Sequence, residues 1–134
     1  IFPNYTEACY LTDTAYKAGG ITLNEARELL DKLHAIGSKS VLITSICIEG
    51  QHCVVGFNHI TGEYFELPYT EIPVRFPGTG DIFSAVLIGH LLDDEPLNKA
   101  TQKAMDVVYH FIDLNKDNID KNRGIPIENY LDLI

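Results

Sequence analysis

The sequence predicts an α/β fold in which helices cover a mostly parallel sheet, with a short antiparallel excursion in the middle. Three observations lead to this fold class. Apolar residues recur at helical spacing in several segments. Val41–Ile48 is β-branched and apolar on both faces, as in a strand covered on both sides. Helical and extended segments alternate along the 134 residues, which fit one ordinary domain without a linker or an internal repeat.

The first half of the chain predicts two helices and a strand. A short helix is expected over Tyr5–Leu11. Thr22 and Glu25 then form a T-x-x-E capping box at the start of a second helix, which Gly37 ends. One face of that helix is apolar: Ala26, Leu29, Leu30, Leu33 and Ile36. The strand Val41–Ile48 follows directly.

The middle of the chain predicts antiparallel strands. Gly50 turns the chain into a strand over His52–Phe57, and Thr61–Gly62 turns it again into Glu63–Leu67. A further extended stretch, Ile72–Phe76, leads into a glycine-rich turn.

The last third predicts two helices and a docked tail. Ile82–Leu92 is apolar nearly all round, which predicts a helix buried in the core. Pro96 suits the first turn of another helix, expected to run to about Leu114. The tail is polar up to Gly124, and Ile125–Ile134 is expected to dock as a short segment.

Charge and cysteine content narrow the function classes. The net charge is −9, which argues against binding to nucleic acid or to an anionic membrane surface. No apolar stretch is long enough for a membrane span. Cys9, Cys47 and Cys53 are odd in number and have no C-x-x-C spacing. They are therefore expected to be buried small hydrophobes in a reducing, cytoplasmic location.

The strongest functional signal is Pro77–Gly78–Thr79–Gly80–Asp81 in front of the apolar helix. The glycines allow a tight turn, and a helix N-terminus offers free N–H groups and a partial positive charge. Such a turn can bind a phosphate or stabilise the charge that develops during its transfer. Asp81 is expected either to cap the helix or to accept a proton from a substrate hydroxyl.

Two further polar pairs are candidates. Asn4 and Glu7 have the spacing of a helix capping box, or alternatively place a carboxylate beside the water shell of a magnesium ion. Thr44 and Ser45 lie in the predicted buried strand, where hydroxyls either pack or reach a phosphate.

Taken together, these motifs resemble the ribokinase-like small-molecule kinases, most closely the pyridoxal (pyridoxine, pyridoxamine) kinases. In that family the pattern is T-P-N-x-x-E, then an I-T-S strand, then V-x-F-x-G-T-G-D-x-F. The matching segments of this chain are Phe2–Glu7, Ile43–Ser45 and Val74–Phe83. Phe2 replaces the usual threonine, and the resemblance extends to about Asn115.

The resemblance implies transfer of the γ-phosphoryl group of ATP to the 5′-hydroxymethyl group of a B6 vitamer, with Mg²⁺. By this resemblance Asp81 is the catalytic base and contacts the substrate. The N–H groups of Gly78, Thr79 and Gly80 form the anion hole around the γ-phosphoryl group.

The resemblance also implies a set of nucleotide contacts. Glu7, with Asn4, would organise magnesium through water and also the phosphates. Thr44 and Ser45 would touch the nucleotide. Val74 and Phe76 would face the purine.

Neighbouring kinases leave alternatives open. Hydroxymethylpyrimidine phosphate kinases usually carry cysteine where this chain has Asp81. Sugar kinases more often have D-T-x-G-A-G-D, whereas Arg75 here takes the place of the first aspartate and Thr79 that of the alanine. A pyrimidine or sugar kinase, or a non-catalytic nucleotide-binding module, therefore remains an alternative.

Relatives of this type carry a preceding lobe of comparable size, with the lid and most vitamin contacts. Residues 1–134 are accordingly expected to be the nucleotide-side C-terminal fragment of one kinase domain. The resemblance implies a homodimeric parent. The fragment is expected to be inactive alone and to self-associate through an open strand edge at Ile1–Phe2.

Overall fold

The computed structural model describes all 134 residues and divides them into two compact units, residues 1–71 and 72–134. The first unit contains two helices and three strands: α1 (Tyr5–Leu11), α2 (Leu23–Ala35), β1 (Val41–Ile48), β2 (Gln51–Asn58) and β3 (Glu63–Pro68). The second contains α3 (Thr79–Leu92), α4 (Leu97–Asn115) and three 3-10 turns at Lys121–Arg123, Ile127–Asn129 and Leu131–Leu133. The predicted α/β class is confirmed.

The sheet is antiparallel, with strand order β1-β2-β3. The predicted mostly parallel sheet is therefore not confirmed. Consecutive strands are joined by short turns at Gly50 and at Thr61–Gly62, whereas a parallel connection needs a crossover of about a dozen residues or more. Parallel pairing is confined to two isolated bridges, Asn4 with Thr44 and Ile21 with Ile48.

The N-terminal segment extends beside β1. The N–H of Leu42 donates to the carbonyl of Ile1, and the N–H of Thr44 donates to the carbonyl of Pro3, both at 2.9 Å. The backbone N–H and C=O of Phe2, between them, form no hydrogen bond. The open edge expected at Ile1–Phe2 is thus present at Phe2.

The core of the first unit lies where α1 and α2 pack on β1. Leu30 and Leu33 of α2 and Ile43 and Ile46 of β1 are almost completely buried there. As predicted, the cysteines pack as small apolar groups: Cys9 and Cys53 are buried, Cys47 is half-buried, and all three are free thiols.

In the second unit α3 and α4 pack against each other. The prediction of a helix over Ile82–Leu92 is confirmed, but α3 begins earlier, at Thr79, so the glycine turn includes its first residues. The expectation that this helix is buried all round is wrong. Phe83, Val86 and Leu87 are buried, whereas Leu92 is 79% exposed.

The tail docks only in part. Ile125 is buried and Tyr130 packs against the same apolar cluster, whereas residues 131–134 are exposed. The extended stretch at Ile72–Phe76 forms no strand. None of the helices combines the length and apolar character needed to cross a membrane.

Candidate functional site

The N-terminus of α3 carries unpaired backbone donors. Gly78 precedes the helix with φ 84° and ψ 0°, a left-handed conformation that glycine adopts without strain. The first helical hydrogen bond runs from the N–H of Ile82 to the carbonyl of Gly78 at 3.0 Å. No side chain caps this end, and the N–H groups of Thr79, Gly80 and Asp81 have no partner. The turn therefore has the free donors and the dipole of an anion site.

Asp81 is the third residue of α3 and its side chain is exposed. Its carboxylate accepts no hydrogen bond from the helix start, so the capping interpretation of Asp81 is wrong. The Oδ2 atom lies 4.0 Å from the position that a Cβ atom would take on Gly78. A free carboxylate thus lies over the turn whose N–H groups are free.

Two side-chain hydroxyls donate hydrogen bonds to backbone carbonyls in and beside this turn. Gly80, by contrast, is not required by packing. The Thr79 hydroxyl donates to the carbonyl of Phe76 (3.3 Å), and the Ser84 hydroxyl donates to the carbonyl of Gly80 (2.8 Å). A Cβ atom on Gly80 would meet nothing within 4 Å. Packing within this chain does not require glycine at this helical position.

Val74 and Phe76 lie in the apolar cluster of the second unit. Phe76 is only 4% exposed and packs with Phe111 and Ile125, while Val74 is half-buried at the edge of the cluster. That both side chains face a purine stays a prediction, and Phe76 has little free surface for such a contact.

In the first unit, Asn4 and Glu7 form the capping box of α1. The Asn4 Oδ1 accepts from the N–H of Glu7, and the Glu7 Oε2 accepts from the N–H of Asn4, both at 2.9 Å. The capping interpretation is confirmed. The Glu7 side chain is exposed, and its Oε1 takes part in no hydrogen bond.

Thr44 and Ser45 lie at an irregularity of β1. The register between β1 and β2 shifts between Ile43 and Ile46, and Ser45 has φ 57°, which is rare for a residue with a side chain. Such a bulge redirects side chains and is common beside active sites. Ser45 is exposed, and the bridge between Asn4 and Thr44 brings the two polar pairs of this unit together.

Sequence reasoning missed the bulge and the placement of Tyr69 beside Ser45. Burial raises the pKa of the Tyr69 phenol, and the nearby Ser45 side chain opposes the rise. The Tyr69 N–H donates to the carbonyl of His52 at 2.9 Å, which fixes the chain just after β3. No local sequence signal marks Ser45 as left-handed, since this conformation follows from the pairing register of two strands.

No group of three or more histidine, cysteine, aspartate or glutamate side chains could hold a metal ion directly. Glu7 is one exposed carboxylate with a free oxygen, which fits a magnesium ion contacted through its water shell rather than one held in a protein cage.

The fold is similar to solved small-molecule kinases. A Bacteroides thetaiotaomicron protein described as a putative phosphomethylpyrimidine kinase, crystallised with pyridoxal, matches 99% of this chain and 48% of its own at a TM-score of 0.87 and 33% identity. The Leishmania donovani pyridoxal kinase, in complex with ADP and ginkgotoxin, matches 98% of this chain and 46% of its own at a TM-score of 0.75 and 27% identity. The resemblance to kinases of the ribokinase-like superfamily is confirmed.

Two curated relatives are named pyridoxal kinase. That of Arabidopsis thaliana is 36% identical over 94 residues, which are 65% of this chain and 28% of the relative. That of Dictyostelium discoideum is 27% identical over 124 residues, which are 84% of this chain and 39% of the relative. This chain thus spans between a quarter and two fifths of the length of these curated relatives.

A family model described as phosphomethylpyrimidine kinase matches residues 1–126. The chain belongs to this family.

Proposed function

We propose that this chain is the nucleotide-side part of a kinase that transfers the γ-phosphoryl group of ATP to the 5′-hydroxymethyl group of a B6 vitamer. The observation that carries the proposal is the uncapped start of α3, where Asp81 lies beside free N–H groups. Two similar proteins support the choice of ligands, since one was crystallised with pyridoxal and another with ADP.

The proposed chemistry in the second unit needs few groups. The N–H groups of Thr79 and Gly80 would stabilise negative charge on the γ-phosphoryl oxygens during transfer. Asp81 would orient the acceptor hydroxyl and take its proton. An exposed carboxylate without hydrogen-bond partners is free to do both, because no helix cap has to be broken first.

The proposed role of the first unit is nucleotide and magnesium binding. Thr44 and Ser45 would contact the nucleotide through hydroxyls that the bulge exposes. When bound, Mg²⁺ would supply positive charge beside the phosphates, and Glu7 would hold its waters through the free Oε1.

Glu7→Gln tests this role. The substitution should preserve the capping box, because glutamine also serves at this position. We expect only a small decrease in melting temperature, from the lost interaction with the helix dipole, and a higher Mg²⁺ requirement in turnover. Equal Mg²⁺ dependence would exclude the proposed role of Glu7.

A pyrimidine substrate is the second candidate, since the matching family is described as phosphomethylpyrimidine kinase. Asp81 favours a B6 vitamer over a pyrimidine as the substrate, because the hydroxymethylpyrimidine phosphate kinases usually have cysteine at this position.

The test measures ADP release by the complete protein with MgATP and, separately, pyridoxal, pyridoxamine, hydroxymethylpyrimidine and ribose. Turnover confined to the B6 vitamers, lost in Asp81→Asn and retained in Asp117→Asn, supports the proposal. Asp117 is a matched control because it is exposed and its carboxylate forms no hydrogen bond or ion pair. Turnover with hydroxymethylpyrimidine or ribose alone would show that this compound, and not a B6 vitamer, is the substrate. No turnover with any acceptor would favour a non-catalytic nucleotide-binding module.

The oligomeric state belongs to the same proposal. We propose that the complete enzyme is a cytoplasmic homodimer and that this chain alone self-associates without turning over substrate. Light scattering and the ADP assay on the 134-residue chain test this, and a monomer with full turnover would exclude it.

A further inference from the structure

We propose that the C-terminal segment Gly124–Tyr130 is a positioning element that fixes the turn Phe76–Gly80 and thereby aims its free N–H groups. The functional part of this inference rests on the proposed function, since it concerns the turn that would bind phosphate. The positioning part is a property of the second unit and can be tested without any ligand.

The tail passes directly over the backbone of the turn. Gly124 has φ 73° and ψ −165°, a combination that is essentially restricted to glycine. A Cβ atom on Gly124 would lie 3.1 Å from the carbonyl oxygen of Pro77, closer than ordinary van der Waals contact. Any side chain here would push against the residue that precedes Gly78.

Residues that follow Gly124 pack in the same apolar cluster as Phe76, the first residue of the turn. Ile125 and Phe111 form an apolar cluster with Phe76, and Tyr130 packs on it, with the Phe111 and Tyr130 ring centroids 5.4 Å apart. The carbonyl of Phe76 accepts the Thr79 hydroxyl at 3.3 Å. Packing of the tail on Phe76 is therefore linked by one hydrogen bond to the first residue of α3.

A buried amide anchors the tail in this register. Asn115, at the end of α4, is 2% exposed, and its Nδ2 donates to the carbonyl of Phe111 at 2.8 Å. Its Oδ1 accepts from the Asn118 amide at 2.8 Å and from the Tyr130 hydroxyl at 3.4 Å. Because buried amide groups have to be hydrogen-bonded, this network favours one position of Tyr130 over others.

Displacing the turn should matter more for function than for stability. The N–H groups of Thr79 and Gly80 have no protein partner, so their direction depends on the backbone of the turn alone. A misplacement of about 1 Å at a reacting group can cost about a hundredfold in rate. The tail would thus act on phosphate binding without touching the ligand.

The first experiment uses the 134-residue chain and needs no ligand. In Gly124→Ala we expect the amide NMR shifts of Thr79, Gly80 and Asp81 to move. We also expect faster hydrogen exchange at Ile82, whose N–H bonds to Gly78. Gly62→Ala is the matched control, since Gly62 has φ 72° but nothing within 4 Å of an added Cβ. Unchanged shifts at residues 79–81 in a folded Gly124→Ala protein would overturn the proposal.

Tyr130→Ala provides the test if Gly124→Ala does not fold. It removes the ring from the cluster at a half-buried position, and we expect the same residues of the turn to move. Deleting residues 131–134, which are exposed, should leave them unchanged. Movement after the deletion and none in Tyr130→Ala would overturn the assignment to Gly124–Tyr130.

The second experiment measures MgADP affinity by calorimetry. We expect Gly124→Ala to weaken binding by about tenfold or more, and Gly62→Ala to leave it unchanged. Equal affinities in the presence of a displaced turn would overturn the functional part. If the unaltered chain does not bind MgADP, the nucleotide-binding role of this chain fails, and the NMR shifts alone decide the positioning part.

Discussion

The starts of α1 and α3 have opposite hydrogen-bonding states. At α1, the Asn4 side chain accepts the N–H of Glu7 while the Glu7 carboxylate accepts the N–H of Asn4. At α3, Gly78 offers no side chain, and the acidic residue at the same third position, Asp81, bonds to nothing. One helix start is satisfied by its own residues, and the other is left with its donors free.

The difference separates a structural motif from a binding motif that has similar composition. Both starts place a carboxylate at the third helical residue, where it interacts favourably with the helix dipole. Only at α1 does an Asn side chain complete the exchange. Because α3 has no cap, its first N–H groups do not stabilise the helix through hydrogen bonds within the chain. These N–H groups are therefore available to bind an external anion.

A functional role for the start of α3 predicts a large effect on turnover. We expect Asp81→Asn in the complete enzyme to lower kcat by about 10²–10⁴-fold, the usual contribution of a general base. The melting temperature should fall only slightly, because the substitution removes the favourable interaction with the helix dipole but breaks no hydrogen bond. Steady-state ADP release and thermal unfolding check both. A lower melting temperature with unchanged kcat would make Asp81 a cap after all.

Gly80→Ala is expected to raise the stability of the protein and to weaken its binding of nucleotide. Alanine in a helix is favoured over glycine by about 1 kcal/mol, and a Cβ at Gly80 meets nothing. The added methyl group occupies the open space beside the free N–H groups. We expect a higher melting temperature and a weaker MgADP affinity, by the roughly 1.5–3 kcal/mol of one hydrogen bond to a charged group. Unchanged affinity would place the phosphate elsewhere.

At α1 we expect a substitution to lower stability, since the Asn4 side chain caps this helix. Asn4→Ala should lower the free energy of unfolding by about 1 kcal/mol, because it removes the side-chain acceptor of the capping box. Asn4→Asp keeps an acceptor and serves as the control. Chemical denaturation measures both variants, and an Asn4→Ala protein as stable as its parent would show that this cap contributes nothing.

A smaller effect on stability is expected at the other capped helix start, that of α2, and it depends on pH. The Lys17 ammonium and the N–H of Thr22 lower the pKa of the exposed Glu25 carboxyl below its usual value. A lowered folded-state pKa gives stability that is present above the unfolded-state pKa and is lost as the pH falls through the folded-state pKa. Acid titration of the melting temperature should therefore show a small loss, as the pH falls below the ordinary pKa of a glutamate, that is absent in Glu25→Gln. Identical profiles would remove Glu25 as its source.

Local sequence patterns predicted the elements well because their causes are local. We predicted α1, α2 and the three strands with bounds close to those observed. The signals were the capping boxes, the helical apolar spacing of α2 and the glycine turns. The antiparallel strands β2 and β3 were predicted from the turns at Gly50 and Thr61–Gly62 and are confirmed. The mostly parallel sheet expected from the apolar pattern of β1 is not confirmed, because the pairing partners of β1 depend on the turns that follow it.

The site was predicted less completely than the fold. The turn at Gly78–Asp81 follows from the residue types, but whether Asp81 caps the helix depends on backbone dihedrals that composition does not reveal. The left-handed Ser45 and the tail contact at Gly124 depend on residues distant in sequence, on β2 in one case and at Pro77 in the other. No local pattern could have indicated either.

The donors at the start of α3 are main-chain amides, and this limits how the turn can be regulated. Amide N–H groups carry no ionisable proton in the physiological range and offer no atom for acetylation, methylation or oxidation. The turn Pro77–Asp81 contains no lysine or arginine, so in a protein with net charge −9 its anion-binding donors are backbone N–H groups alone. A change in the direction of these donors therefore has to come from a change in the backbone conformation.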